Sequence, residues 1–170
     1  MKQTKSPVQS APSFPRRLGQ FVLNILPIGC AYFLIELAAF IFLKPTDSST
    51  LYFGALWSLL LASLILLLPR KAGRITFGIS YYILSGWFLA QWAYYQVFGK
   101  LMWISTAFFA SEGSDYLGDI IDIIPTMWWI CAGVLIVAGV VVIWKFGKPA
   151  FRLPGRLFYL IVTAATVIGL

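Results

Sequence analysis

Histidine occurs nowhere in the 170 residues. The chain therefore lacks the commonest metal ligand and the side chain best suited to acid–base work near neutral pH. Charge is scarce as well. Lys, Arg, Asp and Glu make up 11% of the chain, against about 25% in an ordinary soluble domain. There are two cysteines, Cys30 and Cys131, and each lies inside an apolar run. They read as small packing residues at lipid depth rather than as a disulfide or a metal pair. No Gly-rich phosphate loop, Cys/His cluster or nucleophile–base pair is present. The polar stretches are too short to hold an active site, so no catalytic residue and no metal ligand is assigned to this chain.

Apolar surface is what the sequence has in excess. The hydrophobic fraction is 60% and the mean hydropathy +0.85, too high for a water-soluble core of this size. Five apolar runs, 21–43, 51–68, 75–98, 127–144 and 157–170, predict an all-α membrane protein with five transmembrane helices. A crossing needs about 20 residues, with a range of about 17–25, and the first four runs meet it. The fifth has 14 residues. It reads as a crossing cut short, with more protein expected beyond Leu170. Residues 1–20, with three prolines and four positive charges, read as a disordered cytosolic tail. A signal peptide is not expected, because the following run is too long and no small-residue cleavage site ends it.

The placement of the cations predicts an orientation. Lys2, Lys5, Arg16, Arg17, Arg70, Lys71, Arg74, Lys145, Lys148, Arg152 and Arg156 fall before or between runs on one side, and only Lys44 and Lys100 on the other. The positive-inside rule then places the N-terminus in the cytosol and sends the fifth run outward. This distribution also argues against a nucleic-acid partner, since the basic residues sit in short loops between apolar runs. The outer side carries five of the six acids, Asp47, Glu112, Asp115, Asp119 and Asp122.

Four of those acids lie in the outer loop, 99–126. Asp115, Asp119 and Asp122 recur at spacings of four and three. Tyr116, Leu117, Ile120, Ile121 and Ile124 take the opposite face. The pattern predicts an interfacial amphipathic helix, with Ser114 as N-cap and Pro125 beyond its end. Its acidic face is either simply solvated or a docking or cation-binding face. Aromatic residues gather on the same side: Trp92, Tyr94, Tyr95, Phe98, Trp103, Trp128 and Trp129. They form an aromatic belt at the headgroup level or line a groove for a lipid substrate.

Within the runs, Glu36 is the one acid. A charge at that depth costs at least about 2.5–3.5 kcal/mol, so the carboxyl is expected to be neutral, paired or near water. Gln91 lies at a matching depth in the third run and is its expected partner. The pair serves bundle packing, or else a lipid headgroup or proton site. Gly54, Ser58 and Ala62, and likewise Gly86 and Ala90, recur every four residues and should let helices approach closely.

The stretch "WAYYQVFGKLMWISTAFFA" (residues 92–110) has an aromatic pair, Tyr94 and Tyr95, followed by Phe98 as the third run ends. Together with five runs and an outward exit, it resembles the membrane domain of the lipoteichoic acid synthase family, the sulfatase-like phosphoglycerol transferases. Gln96 stands where that family has a basic residue. The resemblance implies an extracellular domain after residue 170, of alkaline-phosphatase-like fold. That domain would use a Thr nucleophile and manganese or magnesium to transfer glycerol phosphate from phosphatidylglycerol in a bacterial cell envelope. The acidic helix would then contact that domain. Phosphoethanolamine transferases, which share the layout, are the near alternative. A small transporter or channel subunit, or a membrane scaffold or sensor without catalysis, are alternatives of another kind. Transporters often show repeated halves, and no repeat is evident.

Overall fold

A computed structural model describes residues 14–44, 49–103, 124–147 and 156–169. Among these residues the chain is all helical, with no strand. The helices are α1 (Phe14–Leu43), α2 (Ser49–Leu67), α3 (Arg70–Phe98), α4 (Thr126–Gly147) and α5 (Arg156–Gly169). Three are long and apolar enough to cross a membrane, over Val22–Leu43, Ser49–Leu67 and Thr126–Lys145. With its 29 residues α3 is longer than α2, but its hydroxyl, amide and basic side chains make it less apolar. At 14 residues, α5 extends only about 21 Å at 1.5 Å per residue.

Two helices begin earlier than the apolar pattern suggests. Residues 14–20, expected in the tail, are the first turns of α1. Pro15 does not oppose this, because a proline in the first helical turn lacks only an N–H that would have no partner there. Pro27 lies within α1 and the helix continues through it, as membrane helices commonly allow. Helix α3 starts at Arg70, directly after Pro69, and so includes Arg70, Lys71 and Arg74, which the sequence pattern assigns to a loop. It closes at Gly99, whose φ of 65° places it in the left-handed region and whose N–H donates to Tyr95 O at 2.9 Å. A glycine tolerates that conformation at no steric cost. Residues 114–124, with Asp115, Asp119 and Asp122, lie outside the described residues but for Ile124.

Paired contacts fix the directions of the helices. An ideal Cβ on Gly29 would lie 3.9 Å from Ala62 Cβ, and one on Gly54 would lie 3.1 Å from Glu36 Cβ. As α1 advances α2 recedes, so the two are antiparallel. Tyr32 bonds Ser80, and Phe42 stacks on Trp92, so α1 and α3 are parallel. Tyr81 reaches Leu135 and Trp128 reaches Leu89, which makes α3 and α4 antiparallel. Ser63 bonds Thr163, and a Cβ on Gly169 would approach Leu56 Cδ1 to 3.7 Å, so α5 runs against α2. Helix direction therefore alternates along the chain. The core fills the space between α1, α2, α3 and α4 with Ile28, Leu66, Phe77, Tyr81, Trp92 and Leu135.

Hydroxyl groups in this apolar bundle are mostly satisfied locally. Ser80 donates its one proton to Thr76 O at 2.7 Å, so Tyr32 is the donor in the 2.6 Å bond between Tyr32 and Ser80. Thr163 and Thr166 bond back to Tyr159 O and Val162 O. Back-bonding of this kind lets Ser and Thr sit in helices without an orphaned polar atom.

Candidate functional site

The small-residue row on α2 positions the site. Gly54 and Ser58 are four apart, so both face α1. Because residue 54 has no side chain, the Glu36 side chain lies along the α2 backbone. A Cβ there would meet Glu36 Cβ and Cγ at 3.1 Å and Oε2 at 3.2 Å. One turn on, Ser58 is buried and its Oγ has no hydrogen-bond partner. Glu36 and Ser58 both line a cavity of about 290 Å³ between α1, α2 and α3, to which Gln91 and Tyr32 also contribute polar side chains. Ile35, Leu61, Leu84 and Phe88 form much of the remaining wall. Trp57 of α2 and Trp87 of α3 also line it while staying 41% and 39% exposed. The opening therefore lies between these two indoles, on the flank of the bundle.

Glu36 and Gln91 share this cavity, as their matching depths suggest, but the Gln91 amide makes its bonds elsewhere. Its Nε2 donates to Met102 O and its Oε1 accepts from Met102 N, both at 2.8 Å. Beyond Gly99 the chain folds back along α3, and Gln91 holds both backbone polar groups of Met102 about 10 Å short of the helix end, seven residues at 1.5 Å each. A primary amide is the side chain that can satisfy an N–H and a C=O together. The fold-back places Leu101 in the cavity wall. The direct Glu36–Gln91 hydrogen bond expected from sequence does not form. Among the described residues nothing donates to the Glu36 carboxyl.

The aromatic set divides. Trp92 is buried at 2%, stacked on Phe42 with centroids 3.9 Å apart; its ring packs within the bundle rather than at a lipid-facing belt. Trp128 is half-buried and its Nε1 donates to Leu89 O at 2.9 Å, which ties the start of α4 to α3. Tyr94 and Tyr95 are half-buried, whereas Phe98, Trp103 and Trp129 are exposed. The exposed rings stand at the same end of the bundle as the Glu36 cavity. Cys30 is exposed and Cys131 half-buried, and both are free thiols. Among the described residues no three His, Cys, Asp or Glu side chains gather into a metal site.

No family model, curated protein or solved structure matches the chain. What the site can do follows from its own chemistry. It offers a carboxyl, the Ser58 hydroxyl, the accepting capacity of the Tyr32 oxygen and the remaining hydrogen-bonding capacity of an amide, in an apolar chamber just under the roughly 300–1,000 Å³ typical of small-molecule sites. No cation lines it. It therefore suits a hydroxyl-bearing or ammonium-bearing group and disfavours a bare phosphate.

Sequence reasoning identified Glu36, Gln91 and the Gly54–Ser58 row, each on separate grounds. It did not bring Ser58 and Glu36 to one chamber. The four-residue interval from Gly54 to Ser58, set against the one acid of α1, was the signal available.

Proposed function

We propose that the chain is a five-crossing membrane domain that seats the headgroup of a lipid substrate for an envelope phosphotransferase of the lipoteichoic acid synthase type. The carrying observation is the flank-opening cavity lined by both Glu36 and the unpartnered Ser58 Oγ. In this reading the acyl chains stay in the bilayer beside Trp57 and Trp87. The glycerol hydroxyls of phosphatidylglycerol enter between them, and the phosphate remains toward the headgroup region. Phosphoryl transfer itself would take place in an extracellular, manganese- or magnesium-dependent domain outside this chain. The resemblance of residues 92–110 is what suggests the family and a bacterial envelope; the alternation of helix direction is compatible with five crossings, and the loop-by-loop placement of Lys and Arg is what suggests a cytosolic N-terminus. Asp115, Asp119 and Asp122 would face the extracellular domain.

The carboxyl favours one second reading. Glu36 is complementary to an ammonium group, so a phosphoethanolamine lipid fits the same chamber.

The test has two parts. Lys71→Cys and Lys100→Cys, in the full chain freed of Cys30 and Cys131, report whether α3 crosses. An impermeant maleimide should label position 100 on intact cells and position 71 only after permeabilisation. Labelling of both from one side rejects the five-crossing arrangement. Photoactivatable phosphatidylglycerol and phosphatidylethanolamine should then label peptides containing Trp57, Trp87 or Leu101, and the better substrate separates the two readings. Labelling confined to the basic end rejects the headgroup seat.

A further inference from the structure

Helix α3 begins in an electrostatically unfavourable way. Its first turn contains no acid, and its N-cap, Pro69, supplies no side-chain hydrogen bond. Arg70, Lys71 and Arg74 therefore load positive charge onto the positive end of the helix dipole, where anions are favoured and cations are not. Glu36 is the one acid among the described residues, and it sits roughly three helical turns further along the bundle. No carboxylate in the described structure neutralises Lys71 or Arg74.

Directly beneath these cations is an apolar groove. Lys71, Ile75 and Ile79 form one row of α3, spaced four apart, and Arg74 and Gly78 form the next. Ile143 of α4 supplies the facing wall, and the groove holds about 580 Å³. Gly78 leaves it open. A Cβ there would reach Ile143 Cδ1 at 3.4 Å, so a larger side chain would occupy the space. Ile75 and Ile79 are 62% and 59% exposed, and nothing else in the described chain covers them.

We infer that this groove is a binding site for one anionic phospholipid, its phosphate held between Lys71 and Arg74 and an acyl chain lying along Ile75, Ile79 and Ile143 over Gly78. Charge complementarity identifies the occupant. Two cations without a counter-ion among the described residues call for an anion, and the isoleucine floor calls for a chain attached to it. A soluble phosphate would satisfy the first requirement and leave the second unmet. The site lies at the opposite end of α3 from the Glu36 cavity and does not depend on the reading given to that cavity.

Native mass spectrometry of the whole chain in detergent, with dioleoylphosphatidylglycerol and dioleoylphosphatidylcholine as probes, tests it. One phosphatidylglycerol per chain should be retained at least tenfold better than phosphatidylcholine. Lys71→Gln with Arg74→Gln should abolish that preference. Gly78→Leu, which keeps every charge, should lower retention about tenfold by filling the groove. Lys145→Gln, which removes a charge at the same end outside the groove, should leave retention within twofold. Equal retention of the two lipids overturns the inference, and this comparison needs no variant. So does a loss in Lys145→Gln as large as in the double variant, which would indicate diffuse attraction. Displacement of the lipid by millimolar glycerol 3-phosphate would identify a soluble-anion site and overturn it as well.

Discussion

An ideal Cβ at Gly139 would lie 2.7 Å from Tyr81 Cε1 and 2.9 Å from Tyr82 Oη. Tyr81 is fully buried, and its hydroxyl donates to Leu135 O at 3.0 Å, one turn before that glycine. The Cδ1–Cε1 edge of the ring therefore packs against the bare α4 backbone at Gly139, held there by burial and by the bond to Leu135 O. At Gly133, six residues away on the same helix, a Cβ would meet nothing within 4 Å. Gly139→Ala should destabilise the folded chain by about 1–3 kcal/mol through overpacking. Gly133→Ala should be neutral or stabilising by up to about 1 kcal/mol, since alanine is the better helix former. Thermal unfolding of both variants in the same detergent checks the pair, and equal effects would contradict the packing described. Of the close contacts at Gly54 and Gly139, only the first was legible in the sequence. Gly54 stands in a row with Ser58 and Ala62, which announces a close helix approach, whereas Gly139 stands among valines with no such spacing. That Tyr81 meets it depends on the α3–α4 register, which no local pattern encodes.

The elements were legible as apolar stretches and less so as helices with ends. The apolar pattern that stops at Leu68 ends within one residue of the end of α2, because loss of hydrophobicity and loss of helix coincide there. They part company at α1 and α3, where Pro15 and Arg70–Arg74 read as loop but are compatible with a helical first turn. The fold-back after α3 was not readable at all. Gly99 and Lys100 announce a turn, but nothing local says that Gln91, eleven residues earlier, will bond both polar groups of the Met102 peptide. Gln91→Leu removes both bonds and leaves an N–H and a C=O unpaired at depth, a loss of about 1–3 kcal/mol for the segment. Hydrogen exchange at the Met102 amide should accelerate markedly in this variant. In Gln91→Glu, a carboxylate can still accept from Met102 N but cannot donate to Met102 O, so an intermediate acceleration is expected. Unchanged exchange in both would show that the segment is held by other contacts.

Across the whole molecule, the alternating helix directions collect Arg70, Lys71, Arg74 and Lys145 at one end and Lys44 and Lys100 at the other. That segregation was visible in the sequence as a loop-by-loop asymmetry, and it survives although only three of the helices are plainly long and apolar enough to cross. Which helices touch was not visible, since the pairings of α1 with α3 and of α2 with α5 depend on side-chain fit across distant segments. The α1–α2 register can be tested covalently. The 3.9 Å separation between a Cβ at Gly29 and that of Ala62 falls within the roughly 3.5–4.5 Å that a disulfide spans. Gly29→Cys with Ala62→Cys, in a chain lacking Cys30 and Cys131, should close under mild oxidation and shift mobility on a non-reducing gel. Gly86→Cys with Ala62→Cys should stay open, because residue 86 faces nothing within 4 Å. Closure of the second pair and not the first would reverse the assigned register.

The two bonds between Gln91 and Met102 make a short non-helical strap part of the chamber's boundary. Leu101, 53% exposed on its outer side, lends its inner side to that boundary. One face of the Glu36 chamber is thus set by a single side-chain amide and not by the fit of helix against helix.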